Sequence, residues 1–311
     1  MKILKSANLN KITESKLKEA REKVLLFALD YDGTISDGID FKQPQAFELI
    51  EKIFDRNKSV AIITASASTA LKKFVPSFQE LFNKKNFKTR GFIAGANGAT
   101  LFEVKKKGLT EIYNYKMDLA QIQKVVEIGK SVYEKLGIKN TDLSDKGLET
   151  FKKFLKDDWQ GYVPAEIIDV CRPYNGELFT EEAKVTFVLP KDKSIHEKLA
   201  KELNSELGNE YCAAIGDDTY IHITKRFEED GKAMAMKKIL KLMDLKEDEV
   251  VTFGDMPRGN DAGLLSFPYS FTNSEEFISI KENLDQPPYI LFEPNLTPVA
   301  RVYKTINYLL L

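Results

Sequence analysis

The sequence predicts an α/β protein: a doubly wound, Rossmann-like parallel sheet that carries an inserted α+β domain. Two observations predict the sheet and a third predicts the insert. Short apolar runs alternate with amphipathic stretches through short links, the order that βαβ units require. The runs 24–29, 59–64 and 250–253 are unbroken and end abruptly at polar residues or turns, as strands buried on both faces of a sheet do. Between 105 and 221 the alternation gives way to a long helical stretch, charged and aromatic segments and separated strands, which reads as a separate α+β unit.

Composition narrows the functional classes. At 311 residues the chain can bury a sizeable core, and two domains are the natural expectation. Its 46 basic and 47 acidic residues leave a formal charge of −1, so no overall field draws it to nucleic acid or to an anionic membrane. Cys171 and Cys212 are too few for a disulfide framework or a cysteine zinc site, and read as small buried hydrophobes. The N-terminal stretch lacks the apolar segment of a secretory signal, and no run approaches the ~18 apolar residues of a membrane span. A cytoplasmic protein with a small-molecule partner is the expectation.

Each element has a local reason. Ile12, Leu17 and Ala20 make a thin apolar stripe on a charged helix ending at Lys23. The apolar run Val24–Leu29 is a strand; Asp30 and Asp32, two apart, leave one face of extended chain, and Gly33 lets the backbone turn. Pro44 suits the first turn of a helix whose buried face is Ala46, Leu49, Ile50, Ile53 and Phe54, and Asn57-Lys58 ends it. A second strand, 59–64, finishes on the hydroxyl of Thr64, and residues 65–69 lead into a helix around 70–74. A third strand at 91–94 is closed by 95–99 and continues in 100–104. In the insert, 119–136 and 194–207 read as helices, 185–189 and 220–224 as strands. Asp230-Gly231-Lys232 then opens a helix directing Ala233, Met236, Ile239, Leu240 and Met243 inward. The strand 250–253 runs into Gly254-Asp255 and the loop 256–261. A short strand at 269–271 and a helix from Pro298 to Leu311, capped by Asn295 or Thr297, complete the chain. The expected organisation is an N-terminal helical extension (1–23), a core (24–104 with 222–311) and an inserted cap (105–221).

Four features fall at ends of core elements: Asp30 with Asp32, Thr64, Lys232, and Asp255 with Asn260 and Asp261. Taken singly, Thr64 could cap a helix, Lys232 could be a surface charge and each acid a turn residue. Together they suit a phosphate site with a hard metal: carboxylates supply oxygen ligands, while a hydroxyl and an ammonium hold phosphoryl oxygens. Their order, Asp-x-Asp-Gly-Thr, strand-end Thr, Gly-Lys and Gly-Asp-x4-Asn-Asp, resembles the haloacid dehalogenase superfamily of phosphohydrolases. Asn97-Gly98-Ala99 resembles the entry to the cap of its Cof-type, sucrose-phosphatase-like branch (cap class C2b). The resemblance covers about 24–104 and 222–275.

The resemblance implies a Mg2+-dependent phosphomonoester hydrolase, with a small phosphorylated metabolite, most naturally a sugar phosphate, as substrate. Asp30 would take the phosphoryl group as an aspartyl-phosphate, and Asp32 would protonate the leaving alcohol and then activate water. Mg2+ would be held by Asp30, the backbone carbonyl of Asp32 and Asp255, with Asn260 or Asp261 supporting its water. Thr64 and Lys232 would clamp phosphoryl oxygens, and closure of the cap would exclude bulk water. A phosphomutase of the phosphomannomutase type and a non-catalytic phosphate-binding regulator are the alternatives. Two departures stand out. Ala65-Ser66 replaces the Gly-Arg common after the strand-end Thr, and Asn260 lies two residues further from Asp255 than in most Cof-type relatives. Arg258, in the extra length, could replace the lost cation or could simply be solvated. In the cap, Lys184 precedes an apolar strand where lysines of sugar phosphatases often meet substrate. Trp159, Tyr162, Arg172, Tyr174 and Asn175 could grip a sugar or serve as cap core. His196 and His222 do not form a metal pair by pattern, and Asn273 is a candidate to support the site from behind.

Overall fold

The computed structural model describes residues 2–36, 44–66, 68–84, 88–154, 172–174, 177–179, 183–216 and 219–311. By contacts the chain divides into two compact units, 1–113 with 229–311, and 114–228.

The larger unit begins with helix α1 (Lys2–Lys23) and strand β1 (Leu26–Leu29). There follow α2 (Pro44–Asp55), β2 (Ser59–Ile63), α3 (Ser68–Lys84), β3 (Gly91–Gly95), β4 (Thr100–Val104) and β5 (Leu109–Asn114). The smaller unit holds α4 (Leu119–Lys135), α5 (Asp145–Phe154), β6 (Arg172–Tyr174), β7 (Glu177–Phe179), β8 (Val185–Val188), α6 (His196–Leu207), β9 (Tyr211–Ile215) and β10 (Tyr220–Lys225). The chain then returns to the larger unit with α7 (Gly231–Met243), β11 (Val250–Gly254), β12 (Tyr269–Thr272), α8 (Phe277–Ile280), β13 (Tyr289–Ile290) and α9 (Pro298–Leu309).

The main sheet has the order β13-β12-β11-β1-β2-β3-β4-β5. From β13 to β3 every pair is parallel, and β4 folds back antiparallel to β3. Alternation along β1 explains its layers: Phe27 and Leu29 join the α2 and α3 side with Ile50, Phe54 and Phe78. Leu26 and Ala28 join the α7 side with Met236, Ile239 and Leu240. Beyond β1 the chain winds outward through β2 and β3 on one side, and later through β11 and β12 on the other. The direction reverses between β1 and β11, where carboxyl ends of open α/β sheets form a crevice.

The smaller unit contains a three-stranded antiparallel sheet, β8-β10-β9, and a separate pair, β6-β7. Val125, Tyr133, Leu199 and Leu203, from α4 and α6, pack with Val185, Phe187, Ile221 and Ile223 of the sheet. Gly129 is required at that crossing, because a Cβ there would lie 2.2 Å from the Phe187 ring.

Several elements differ from the sequence reading. Helix α1 begins ten residues before Ile12, because Leu9 and Thr13 are buried as well as Ala20, and the Thr13 hydroxyl donates to the Ile290 carbonyl. Strand β5, read as part of the insert, is the edge of the main sheet; its first half is exposed and only Ile112 and Tyr113 pack against the core, so it carries no buried run. Strand β10 lies at the centre of the smaller unit's sheet, so the compact units divide at 113/114 and 228/229 rather than at 104/105 and 221/222. Helix α3 runs on to Lys84 through Pro76, and Thr297, not Asn295, caps α9 by accepting from the Ala300 amide. Among the described residues no helix is long and apolar enough to cross a membrane.

Candidate active site

Strand β1 delivers Asp30 to the crevice. Its amide still donates to the Phe253 carbonyl of β11, so the residue is held by the sheet's own ladder, and it is almost fully buried. Neighbouring β11 delivers Asp255, and neighbouring β2 delivers the buried Thr64, whose amide bonds to the Ala94 carbonyl of β3. Asp30, Asp255 and Thr64 therefore stand at the carboxyl ends of three adjacent parallel strands. Asp32 is exposed and forms an isolated bridge with Ser36, which closes the turn after β1.

Lys232 comes from the first turn of α7. Asp230 caps that helix by accepting from the Lys232 and Ala233 amides, at 2.9 and 3.2 Å. The Lys232 ammonium is 1% exposed and donates to Asp30 Oδ1 at 2.8 Å and Asp261 Oδ1 at 2.5 Å. The other oxygen of Asp261 accepts from the Asp255 and Met256 amides, each at 3.0 Å, and so draws the ends of the 255–261 loop together. Thr34 donates to Asp30 Oδ2 at 3.3 Å.

Two glycines are dictated by the acids. Gly33 has φ +79°, and a Cβ there would lie 2.3 Å from Asp255 Oδ2. A Cβ on Gly254 would meet the Asp261 carboxyl carbon at 2.8 Å. The buried charge is unbalanced: three carboxylates surround one ammonium. Burial, then the Asp261 charge, pushes Asp30 up to about 7, although Lys232 opposes the rise. Burial, then Asp30 and Asp261, pushes Asp255 up to about 9. Burial by itself would lower the Lys232 ammonium, but Asp261 and Asp30 outweigh it and hold its pKa above the ordinary lysine value.

Asp30, Asp255 and Asp261 each offer an oxygen within 4.8 Å of the others. That donor set is hard and oxygen-only, and the mutual repulsion that adds to burial in raising Asp30 and Asp255 is what a divalent cation would relieve. Asn260 lies beside it, half-buried, with its Oδ1 shielded from solvent and without a hydrogen-bond partner among the described residues.

The structure thus brings together Asp30, Lys232, Asp255 and Asp261, with Thr64 on the next strand. Arg258 lies exposed on the loop. Lys184 is buried just before β8, in the smaller unit. Trp159, Tyr162 and Asn175 lie outside the described residues, and Arg172 and Tyr174 fall in β6. His222 Nδ1 and the Thr186 hydroxyl are 2.9 Å apart, and His196 Nε2 is 2.7 Å from the Pro190 carbonyl. Asn273 is buried and donates to the Gly33 carbonyl at 2.9 Å, bracing the turn after Asp30. Sequence reasoning missed the contact of Thr34 with Asp30 and the dual grip of Asp261. For Thr34 the signal existed, since it is four residues from Asp30 within a tight turn; for Asp261 only tertiary structure supplies it.

The family model for haloacid dehalogenase-like hydrolases matches residues 27–269. Among solved structures, a haloacid dehalogenase-like hydrolase from Bacteroides thetaiotaomicron has a TM-score of 0.58 at 16% identity, covering 92% of this chain and 99% of that one. The N-terminally truncated, IMP-bound IMP-nucleotidase of Plasmodium falciparum has a TM-score of 0.56 at 15% identity, with coverages of 94% and 70%. The protein SMU.1108c from Streptococcus mutans UA159 gives 0.54 at 16% identity, with coverages of 84% and 94%. At these identities the likeness is one of fold. No curated protein sequence matches the chain. The family match spans every strand end that carries an acid of the site: the chain belongs to the haloacid dehalogenase-like hydrolases and is an enzyme of the phosphatase type.

Proposed function

We propose that this chain is a Mg2+-dependent phosphomonoester hydrolase that works through an aspartyl-phosphate on Asp30, its substrate a small phosphorylated metabolite and foremost a sugar phosphate. The observation that carries the reading is Asp30 itself. It is a buried carboxylate at the switch point of the sheet, tied to Lys232 at 2.8 Å and grouped with Asp255 and Asp261.

In the first half-reaction a carboxylate oxygen of Asp30 attacks phosphorus and the ester P–O bond breaks. The departing oxygen takes a proton from Asp32, whose exposed position suits exchange with solvent. In the second, Asp32 takes a proton from water as that water attacks the aspartyl-phosphate; phosphate leaves and the Asp30 carboxylate is restored. Lys232 and Thr64 hold the phosphoryl oxygens, and Asp261 keeps the Lys232 ammonium in place. Asp30 and Asp255 would hold the cation, with the Asp32 carbonyl, Asn260 and Asp261 in support. When bound, it neutralises the carboxylates and the charge that develops on the phosphoryl group.

The test is phosphate release from p-nitrophenyl phosphate, a panel of sugar phosphates and IMP, with Mg2+ and with EDTA. IMP belongs in the panel because an IMP-bound nucleotidase shares the fold. Wild-type release should require Mg2+, and Asp30→Asn should lose roughly 10⁴-fold or more in kcat. A folded, Mg2+-binding protein that releases phosphate from no ester would sink the reading.

A further inference from the structure

Between β3 and β4 the backbone makes an uncommon turn. Ala96, Asn97 and Gly98 have φ of +50°, +54° and +86°, three left-handed residues in succession. For Ala96, whose Cβ disfavours that conformation, tertiary contacts hold it in place. The Ala96 amide donates to the Ser66 carbonyl and the Asn97 amide to the Thr64 carbonyl, both at 3.1 Å. The Tyr113 hydroxyl donates to the Gly98 carbonyl at 2.9 Å. Gly98 lies so close to α7 that a Cβ would stand 2.0 Å from the Gly231 carbonyl oxygen and 2.9 Å from the Lys232 amide. The turn is therefore wedged between the two residues expected to hold the phosphoryl group, Thr64 and Lys232.

Asn97 occupies the middle of that wedge. Asparagine often adopts a left-handed conformation because its side chain bonds to nearby backbone. Here its Oδ1 is shielded from solvent and has no partner among the described residues. A glycine would serve the backbone equally well, so the turn's geometry does not account for the carboxamide. A strained turn whose backbone is wedged between Thr64 and Lys232, and which carries an unpaired acceptor, is suited to a donor brought by a ligand.

We propose that Asn97 is a specificity-determining residue, its Oδ1 accepting a hydrogen bond from a hydroxyl of the substrate's leaving group. The inference rests on the phosphatase reading and narrows its substrates to hydroxyl-bearing phosphate esters.

The test compares wild type, Asn97→Gly and Asn97→Asp on p-nitrophenyl phosphate, which offers no hydroxyl, and on the best-cleaved member of a panel of hexose phosphates and IMP. Glycine keeps the positive φ and removes the acceptor; aspartate keeps both the acceptor and tolerance of that φ. The ratio of kcat/KM for the hydroxylated ester over p-nitrophenyl phosphate should fall about tenfold in Asn97→Gly. In Asn97→Asp that ratio should stay within about twofold of wild type, even if the added charge slows both reactions. A merely structural role would move both substrates together and leave the ratio unchanged in Asn97→Gly, which would overturn the proposal. So would a wild type that cleaves p-nitrophenyl phosphate but none of the hydroxylated esters. Failure of wild type on every ester, p-nitrophenyl phosphate included, is the separate result that removes the phosphatase reading itself.

Discussion

Asn204, in the smaller unit, uses its whole carboxamide on the backbone around it and on the Arg226 guanidinium, which donates to its Oδ1 at 3.3 Å. Its Nδ2 donates to the Ala200 and Ala213 carbonyls at 2.8 Å, and its Oδ1 accepts from the Ala213 amide at 3.0 Å. In the larger unit Asn97, Asn260 and Asn273 each keep a shielded Oδ1 without a partner among the described residues. The charged groups at the strand ends differ in the same sense, since three carboxylates cluster there and one lysine pairs with only two of them, Asp30 and Asp261. Polar groups whose bonds close locally serve the fold, whereas a group left open costs stability and, beside the site, offers a ligand a partner. The contrast separates Asn204, which holds the structure, from Asn97 and Asn260, whose acceptors near the strand ends are open to a ligand.

Removing Lys232 tests the contrast most severely. Lys232→Ala leaves three carboxylates facing one another without a protein cation, and withdraws the donor expected on the phosphoryl oxygens. On p-nitrophenyl phosphate with saturating Mg2+, kcat should fall roughly 10²- to 10³-fold. A loss below about threefold would place this lysine among the groups that only hold the structure.

Gly33 offers a finer test. Gly33→Ala must place a methyl 2.3 Å from Asp255 Oδ2 at a φ of +79°, so Asp255 has to move. Turnover should drop about 10- to 100-fold. Gly108→Ala is the matched control, with φ +83° and nothing within 4 Å of its new methyl. Both variants should lose on the order of 1 kcal/mol of stability in urea titrations, but only Gly33→Ala should lose turnover. Equal kcat in the two would show that Asp255 tolerates displacement.

Asn204→Ala probes the other side of the comparison. It strands the Ala213 amide and carbonyl in the smaller unit, and should cost about 2 kcal/mol by chemical denaturation. Per folded molecule, turnover of p-nitrophenyl phosphate should stay within about twofold. If turnover fell with stability unchanged, local closure of hydrogen bonds would not identify a structural residue.

The same contrast explains what could be read from the chain beforehand. β1, β2 and β11 are buried on both faces, so their apolar runs and the polar residues that end them were visible without neighbours. Asp30, Asp255, Thr64 and Lys232 were legible for the same reason: each breaks an apolar or helical pattern at its end. Strand β5, exposed over its first half, has no such pattern, and β9 alternates only weakly between buried and partly buried residues. The two-residue β13 is too short to carry one. Asn97 and Asp261 were harder. The left-handed turn of the first is imposed by Thr64, Ser66 and Gly231, and the grip of the second on Lys232 joins residues 29 apart.

Glu103 gives the smallest effect and decides whether the contrast belongs to the units or to the strand ends. It lies in β4 of the larger unit, buried yet fully matched, with Arg90 Nε at 2.7 Å and Lys105 Nζ at 2.6 Å. Burial would raise its pKa, but the bonds from Arg90 and Lys105 outweigh it and hold the carboxyl below its ordinary value of 4.5. With the folded pKa below the unfolded one, the unfolded chain takes up the proton first as pH falls. The stabilisation is therefore complete above the unfolded value and is lost as pH drops through the folded one. Glu103→Gln should cost about 1 kcal/mol at pH 7 without changing turnover, and the gap from wild type should shrink as the pH falls below the ordinary carboxyl value and through the lowered folded one. A gap that stays constant with pH would assign the effect to packing instead of charge. A loss of turnover would mean that even a matched carboxylate in this unit serves the site, and the division would then follow the units rather than the strand ends.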